Sequence, residues 1–176
     1  MKTMIRVVAI FIALFSASYS FAQQDKSKRP SPPEAFHLST SDGIQVHIDY
    51  SKPSLKGRTV GVDLAKFGEV WRTGANEITT IEFDKDVLIE GKALAKGKYG
   101  LWTIPTAEKT TLIFSQKWDG WGVGYSDAQD VLRVETKNEK NNTAVEQFTI
   151  SGDKSGKINL SWGNLIIPIH VKAAGE

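Results

Sequence analysis

Four side chains that could bind a polar ligand occur within seven consecutive residues, WRTGANE. They are Trp71, Arg72, Asn76 and Glu77. Tryptophan offers a flat apolar ring and arginine offers five N–H donors, while asparagine and glutamate can bind hydroxyl groups in the opposite sense. This mixture suits a sugar, a peptide terminus or another polar small molecule. In the structural alternative, Arg72 and Glu77 form a buried ion pair and Asn76 caps the turn between them.

A second aromatic cluster, WDGWGVGY, covers residues 118–125. In an extended segment Trp121 and Tyr125 project to one face, and the intervening glycines leave a flat strip that a ligand can approach. Trp118 adds another ring, and exposed rings of this kind stack on the apolar faces of sugars. In the alternative interpretation the two tryptophans plug the end of the fold, because tryptophan is usually mostly buried.

Two more residues are candidates for the same ligand-binding cluster. Arg58 follows a glycine turn, and Tyr50 ends a predicted strand. No catalytic residue is predicted, because the chain has no Gly-x-Ser-x-Gly elbow, no Ser-x-x-Lys and no phosphate-binding glycine loop before a helix. Glu77 is the candidate to test for acid–base chemistry, and a glycosidase-type pair would need a second carboxylate such as Asp49.

Metal and cofactor sites are not predicted. His47 and Asp49 lie two residues apart and could share one strand face, but a solvent-facing polar row explains them better. The chain has neither a helical His-Glu-x-x-His motif nor any cysteine to supply a thiolate. The sequence therefore predicts no bound metal and no cofactor.

The elements that must position these residues follow a period of two almost throughout. Ile44, Val46 and Ile48 alternate with polar residues, and further strands are predicted at 79–83, 87–89, 99–104, 110–115, 130–136, 146–151, 157–162 and 165–172. One helical turn around 64–70 is allowed. About nine short strands with little helix predict an all-β antiparallel sandwich, with a barrel-like closure as the alternative.

The first 22 residues have the features of a secretory signal. Lys2 and Arg6 precede a short apolar run, and Ser20-Phe21-Ala22 provides a cleavage site after Ala22. The apolar run is too short to span a bilayer, and no other segment is long enough. We therefore expect an exported protein, periplasmic or extracellular, with a flexible polar and proline-rich leader at 23–36 and one domain at 37–174.

The charge of the mature chain argues against several partners. The signal contains two of the 22 basic residues and none of the 20 acidic ones, so the rest of the chain has a formal charge of zero. A nucleic-acid-binding protein would be expected to have a basic face. We expect no nucleic-acid partner and no polybasic membrane anchor, and a polar small molecule or glycan remains the candidate ligand.

Five motifs together carry a resemblance to a known family. In chain order they are IDYSKPSLKGR (48–58), WRTGANEITTIEF (71–83), GKALAKGKYGLWTIP (91–105), WDGWGVGY (118–125) and DVLRV (130–134). The set resembles the secreted bacterial family catalogued as domain of unknown function 2911, over about residues 31–172. This chain differs from the usual pattern at Ala95 and Lys96, and at Lys52, where arginine is common. The resemblance implies a β-rich exported domain and brings no established activity.

Three functions follow from these observations. The first is a non-catalytic module that binds a carbohydrate-like or peptide-like ligand through Trp71–Glu77 and the neighbouring aromatic rings. The second is a small secreted hydrolase that uses a carboxylate pair including Glu77 or Asp49. The third is a protein-interaction or assembly domain, in which the aromatic rings contact another protein.

Overall fold

The computed structural model describes residues 25–175, which form two antiparallel β-sheets. The strands are Pro33–Ser39 (β1), Gln45–Ser51 (β2), Thr80–Phe83 (β3), Val87–Ile89 (β4), Lys92–Leu94 (β5), Gly97–Pro105 (β6), Lys109–Ser115 (β7), Asp130–Lys137 (β8), Glu139–Gly152 (β9) and Lys157–Ala173 (β10). One sheet has the order β1-β2-β3-β6-β7-β8 and the other β5-β4-β10-β9. The signal peptide predicted at 1–22 lies outside the described residues.

The main hydrophobic core lies between the two sheets. Val46, Ile48 and Tyr50 point into it from β2, as their alternation with polar residues predicted. Phe148 of β9 and Trp162 of β10 meet them from the four-stranded sheet. The predicted antiparallel sandwich is therefore confirmed, and the barrel-like alternative does not form. No helix within residues 25–175 has the length and apolar character needed to cross a bilayer.

Several element boundaries differ from the sequence prediction. The strands predicted at 157–162 and 165–172 are one continuous strand, β10, because its register with β9 shifts around Gly163 without ending the pairing. Strand β1 begins at Pro33, inside the predicted leader. Proline is tolerated there because it is the first residue of an edge strand. Residues 64–70 form turns and bends, and not a helical turn.

A second, smaller hydrophobic cluster lies on the face of the six-stranded sheet that points away from the main core. Trp102 and Ile113 project from β6 and β7, and Ile78 joins them. Residues 116–126, here called the aromatic loop, cross this face and place Tyr125 against the Trp102 ring, with ring centroids 5.0 Å apart. The aromatic loop is thus fixed to the outside of the sheet by apolar contacts.

Two more segments meet the aromatic loop. The corner loop (residues 71–79) leads into β3, and Glu77 within it pairs with Trp121 through an isolated antiparallel bridge. The N-terminal segment (residues 25–32) leads into β1 and is tied to the corner loop where Asn76 Nδ2 donates to the Ser31 carbonyl at 2.9 Å. These three segments form the surroundings of the candidate site.

Candidate functional site

The Glu77 carboxylate is bound by two cations from the N-terminal segment. Arg29 Nη1 donates to both carboxylate oxygens, at 2.9 and 3.0 Å, and Lys26 Nζ lies 3.1 Å from Oε1. The Arg29 side chain is only 15% exposed, whereas that of Lys26 is 60% exposed. Arg29 is therefore the principal partner of Glu77, and the Arg72–Glu77 ion pair of the structural alternative does not form.

These contacts keep Glu77 ionised. Partial burial by itself raises the pKa of the carboxyl group, but hydrogen bonds from Arg29, from the backbone and from Lys26 outweigh that effect and lower the pKa of Glu77 to about 2. A group with this pKa holds no proton at neutral pH. Glu77 is consequently suited to accept hydrogen bonds and unsuited to act as a general acid.

A second carboxylate lies on the outer face of β2. Asp49 Oδ1 is 2.9 Å from His47 Nε2, and Asp49 Oδ2 is 3.4 Å from Lys98 Nζ on β6. His47 also meets His37 of β1, with 3.0 Å between their Nδ1 atoms. Among residues 25–175 no group of three or more His, Cys, Asp or Glu side chains could hold a metal ion.

The two cations lie over the two exposed tryptophan rings. The Arg29 guanidinium carbon is 5.6 Å from the centroid of Trp121, and Lys98 Nζ is 5.2 Å from that of Trp118. Both distances lie within the range of cation–π attraction. Trp118 is 44% exposed and Trp121 57% exposed, so the rings face solvent and do not plug the end of the sandwich.

A surface cleft of about 450 Å³ lies between the two carboxylates. Its lining residues are Lys26, Pro33, Glu34, Ala35, Asp49, Tyr50, Ser51, Glu77 and Ile78. Each of the carboxylates Asp49 and Glu77 holds a cation, and each of those cations covers one tryptophan ring. The two carboxylates therefore line the opening, and each is linked through a cation to an exposed tryptophan ring beyond the lining residues.

Trp71 is partly buried against the main core and does not line this cleft. Its ring stacks on Trp162 at 5.5 Å between centroids and meets the edge of Phe148 at 5.2 Å. The indole Nε1 donates to the Gly74 carbonyl at 3.1 Å, and the Trp71 backbone pairs with Thr103 in both directions. The ring and the backbone of Trp71 therefore serve to anchor the corner loop to the sandwich.

Arg72 and Asn76 hold the corner loop against the aromatic loop. Arg72 Nη1 donates to the Asn76 carbonyl at 3.0 Å, and the backbone N–H of Gly122 donates to the same oxygen at 3.2 Å. A Cβ atom at Gly122 would lie 2.6 Å from Arg72 Cδ, so the arginine packs where only glycine leaves room. Glycine at position 122 therefore allows the aromatic loop to pack closely against the corner loop.

The family comparison covers the corner loop and the aromatic loop but begins after Lys26 and Arg29. A model of the family described as protein of unknown function, DUF2911, matches residues 31–171. The chain belongs to this family. In the DUF2911 domain the match includes the corner loop, the aromatic loop and strands β1 to β9 in full. Searches of curated proteins and of solved structures found no match.

The structure of this DUF2911 domain brings some of the candidate residues together and separates others. Glu77 and Tyr50 line the cleft. Trp118 and Trp121 do not line it, and they are linked to its two carboxylates through Lys98 and Arg29. Tyr125 is held by hydrogen bonds with Asp130 and Arg133. Burial, together with the Asp130 contact, raises the pKa of Tyr125 to about 12, so the phenol keeps its proton.

Tyr50 lines the cleft but lies apart from the exposed tryptophan rings, and Arg58 lies apart from both. The Tyr50 ring packs edge-on against Phe148 in the core, and its hydroxyl oxygen accepts a hydrogen bond from the Ile150 N–H at 3.2 Å. Arg58 lines a different cavity, which shares no residue with the cleft. Sequence reasoning missed Arg29 and Lys26. The only available signal was the run of three basic residues, Lys26, Lys28 and Arg29, in the predicted leader.

The ionised state of Glu77 predicts a specific loss of stability in acid. Because the pKa is lower in the folded chain than the ordinary value near 4.5, the stabilisation is complete above that value and disappears as pH falls toward 2. The carboxylate is 36% exposed, so after solvent screening we expect a contribution of about 1–2 kcal/mol. Urea unfolding of wild type and Glu77→Gln at pH 7 to 2 measures it.

The difference in unfolding free energy between wild type and Glu77→Gln removes the contributions of the other carboxylates, because these are the same in both proteins. The wild type should be more stable at pH 6–7, and the difference should shrink steadily below pH 5. A difference that stays constant across this range would contradict the assignment of the Arg29–Glu77 ion pair.

Proposed function

We propose that the protein is an exported, non-catalytic binding module that recognises a carbohydrate-like ligand at the cleft between Glu77 and Asp49. The observation that carries this proposal is the repeated arrangement on both sides of the opening. On each side a carboxylate holds a cation, and the cation lies over an exposed tryptophan ring.

The chemistry of this arrangement matches a sugar. The apolar face of a pyranose ring can stack on Trp121 or Trp118, and its hydroxyl groups can donate to carboxylates and accept from Lys98 or Arg29. The cations that cover the rings also fix the ring orientations before a ligand arrives, which reduces the entropy lost on binding. An exposed tryptophan ring is otherwise unfavourable in water, and two of them beside one cleft are typical of a recognition surface.

The protonation state of Glu77 excludes it as the general acid of a glycosidase. Both glycosidase mechanisms need one carboxyl group that carries a proton at the working pH. The pKa of Glu77 is about 2, and both of its oxygens are occupied by Arg29. Glu77 thus has the properties of a fixed acceptor for ligand hydroxyl groups.

A binding experiment tests the proposal directly. The purified protein is screened by thermal shift against neutral cello-, xylo- and chito-oligosaccharides and against short peptides, and hits are measured by calorimetry. We expect an oligosaccharide to bind and Trp121→Ala to weaken it at least tenfold, equivalent to about 1.4 kcal/mol. Trp118→Ala should weaken binding in the same direction.

Val62→Ala is the control, because Val62 is also an exposed apolar residue, at 65%, and does not line this cleft. It should bind the oligosaccharide as the wild type does. If only peptides bind, the ligand is a peptide and not a carbohydrate. If both tryptophan variants bind with wild-type affinity, the proposed site is wrong.

A further inference from the structure

A second cavity, larger than the proposed cleft, lies elsewhere on the protein. It has a volume of about 780 Å³ and lies between the loop at residues 55–67 and the paired strands β9 and β10. Arg58, Lys140, Asn142, Asn164, Phe67 and Leu165 are among its lining residues. None of the residues that line the first cleft contributes to it.

An irregularity in strand pairing creates this cavity. Gly163 of β10 pairs with Val145, but Leu165, two residues on, pairs with Lys140. The four residues 141–144 therefore bulge out of β9 and form one wall. Asn164 Nδ2 secures the bulge by donating to the Asn141 carbonyl at 3.0 Å. Bulges of this kind often occur beside functional sites, where they redirect side chains.

Gly163, at the base of the bulge, has a left-handed backbone conformation that favours glycine. Gly163 has a φ of +57°, and a Cβ atom there would lie 3.4 Å from Val60 Cγ2. Across the cavity, the Phe67 ring lies where a Cβ atom of Gly61 would stand, with 2.4 Å to the nearest ring atom. Gly163 thus leaves room for Val60 at the bottom of the cavity, and Gly61 leaves room for the exposed Phe67 ring at its side.

The charge of the cavity is positive and uncompensated. Among residues 25–175, neither Arg58 nor Lys140 has a carboxylate within 4.0 Å, although Lys52, Lys98, Lys109 and Lys157 each have one. The neighbouring Glu139 pairs with Lys157 at 2.7 Å, and Glu146 accepts from the Lys56 backbone N–H. No Asp or Glu lines the cavity.

The Arg58 side chain is held in place by its own loop. Nε donates to the Leu55 carbonyl at 3.0 Å, and Nη2 donates to the Ser54 carbonyl at 3.1 Å. These bonds leave Nη1 with both of its N–H groups for an external acceptor. A guanidinium fixed in this way can bind an anion without first losing side-chain freedom.

We propose that this cavity binds a carboxylate-bearing, hydroxyl-rich ligand of the uronic-acid type. Arg58 and Lys140 take the carboxylate, the asparagine amides of the bulge bind hydroxyl groups, and the Phe67 ring packs on the apolar face of the sugar ring. The cations, the amides and the aromatic ring of the cavity thus match the carboxylate, the hydroxyl groups and the apolar face of an acidic sugar. A neutral sugar would leave the two cations without a counter-charge.

The test uses trigalacturonic acid and its methyl ester as probes, measured by calorimetry on the purified protein at low and moderate salt. The acid should bind, and the ester, which has lost its charges, should bind at least tenfold more weakly. Arg58→Gln and Lys140→Gln should each weaken binding of the acid at least tenfold. Lys109→Gln is the control, because Lys109 is an exposed lysine paired with Glu135 outside this cavity.

Trp121→Ala separates this site from the proposed cleft. It should leave the affinity for trigalacturonic acid unchanged while it weakens binding of a neutral oligosaccharide. The proposal is overturned if the wild type does not bind the acid, if the ester binds equally well, or if neither cation variant weakens binding. Loss of acid binding in Trp121→Ala would also overturn it, because the ligand would then occupy the first cleft.

Discussion

Replacement of Trp71 by alanine should lower the free energy of unfolding by about 3 kcal/mol. The change removes a ring that contacts Trp162 and Phe148 in the core and leaves a cavity between the sheets. It also removes the indole N–H that satisfies the buried carbonyl of Gly74. Equilibrium unfolding in urea, followed by tryptophan fluorescence and by circular dichroism, measures the loss.

Trp121→Ala is the matched control for this measurement. The Trp121 ring is 57% exposed and lies outside the main core, so its removal should change the unfolding free energy by less than about 1 kcal/mol. Trp71→Phe, which keeps a ring but loses the N–H, should fall between the two. A Trp71→Ala variant with wild-type stability that loses ligand binding would instead make Trp71 a ligand contact.

Gly100→Ala should detach the aromatic loop from the sheet and abolish ligand binding at the first cleft. A Cβ atom at position 100 would lie 2.2 Å from the Lys117 carbonyl oxygen, and that atom belongs to the backbone. The loop must therefore move, since a rotation of the Lys117 side chain cannot relieve the overlap. We expect a loss of about 1–3 kcal/mol in stability and a loss of oligosaccharide affinity of at least tenfold.

Gly91→Ala is a control with a comparable stability cost and no effect on the site. Gly91 has a φ of +79° in the β4–β5 turn, and an added Cβ atom would meet nothing within 4 Å. Backbone strain alone should cost about 1–2 kcal/mol. If Gly91→Ala lost ligand binding as fully as Gly100→Ala, the effect would come from instability, and the position of the aromatic loop would not explain it.

The strand pattern could be predicted because it is a local property. Val46, Ile48 and Tyr50 alternate with polar residues, and side chains in a strand alternate between its faces whatever the rest of the chain does. Family membership could be predicted for a similar reason, because the motifs are contiguous strings of residues. The length of β10 could not be predicted, because a β-bulge within a strand and the end of a strand look alike in sequence.

The candidate site was harder to predict because its contacts are distant along the chain. Glu77 and Arg29 are separated by 48 positions, and the sequence predicted a partner for Glu77 only five residues away, at Arg72. The choice depends on the path of the N-terminal segment, which has no apolar periodicity to indicate it. The position of Arg58 in the cavity beside β9 and β10 also depends on contacts that are distant along the chain.

The sequence by itself determined the β-sandwich class, the family and the residue types available for recognition. Local alternation and turn residues are enough for these, because each is set by neighbours along the chain. Only the tertiary structure decided that Trp71 is partly buried against the core while Trp118 and Trp121 are exposed. All three are tryptophans in glycine-containing loops, and their burial depends on which sheet face each loop crosses. That choice is made by long-range packing.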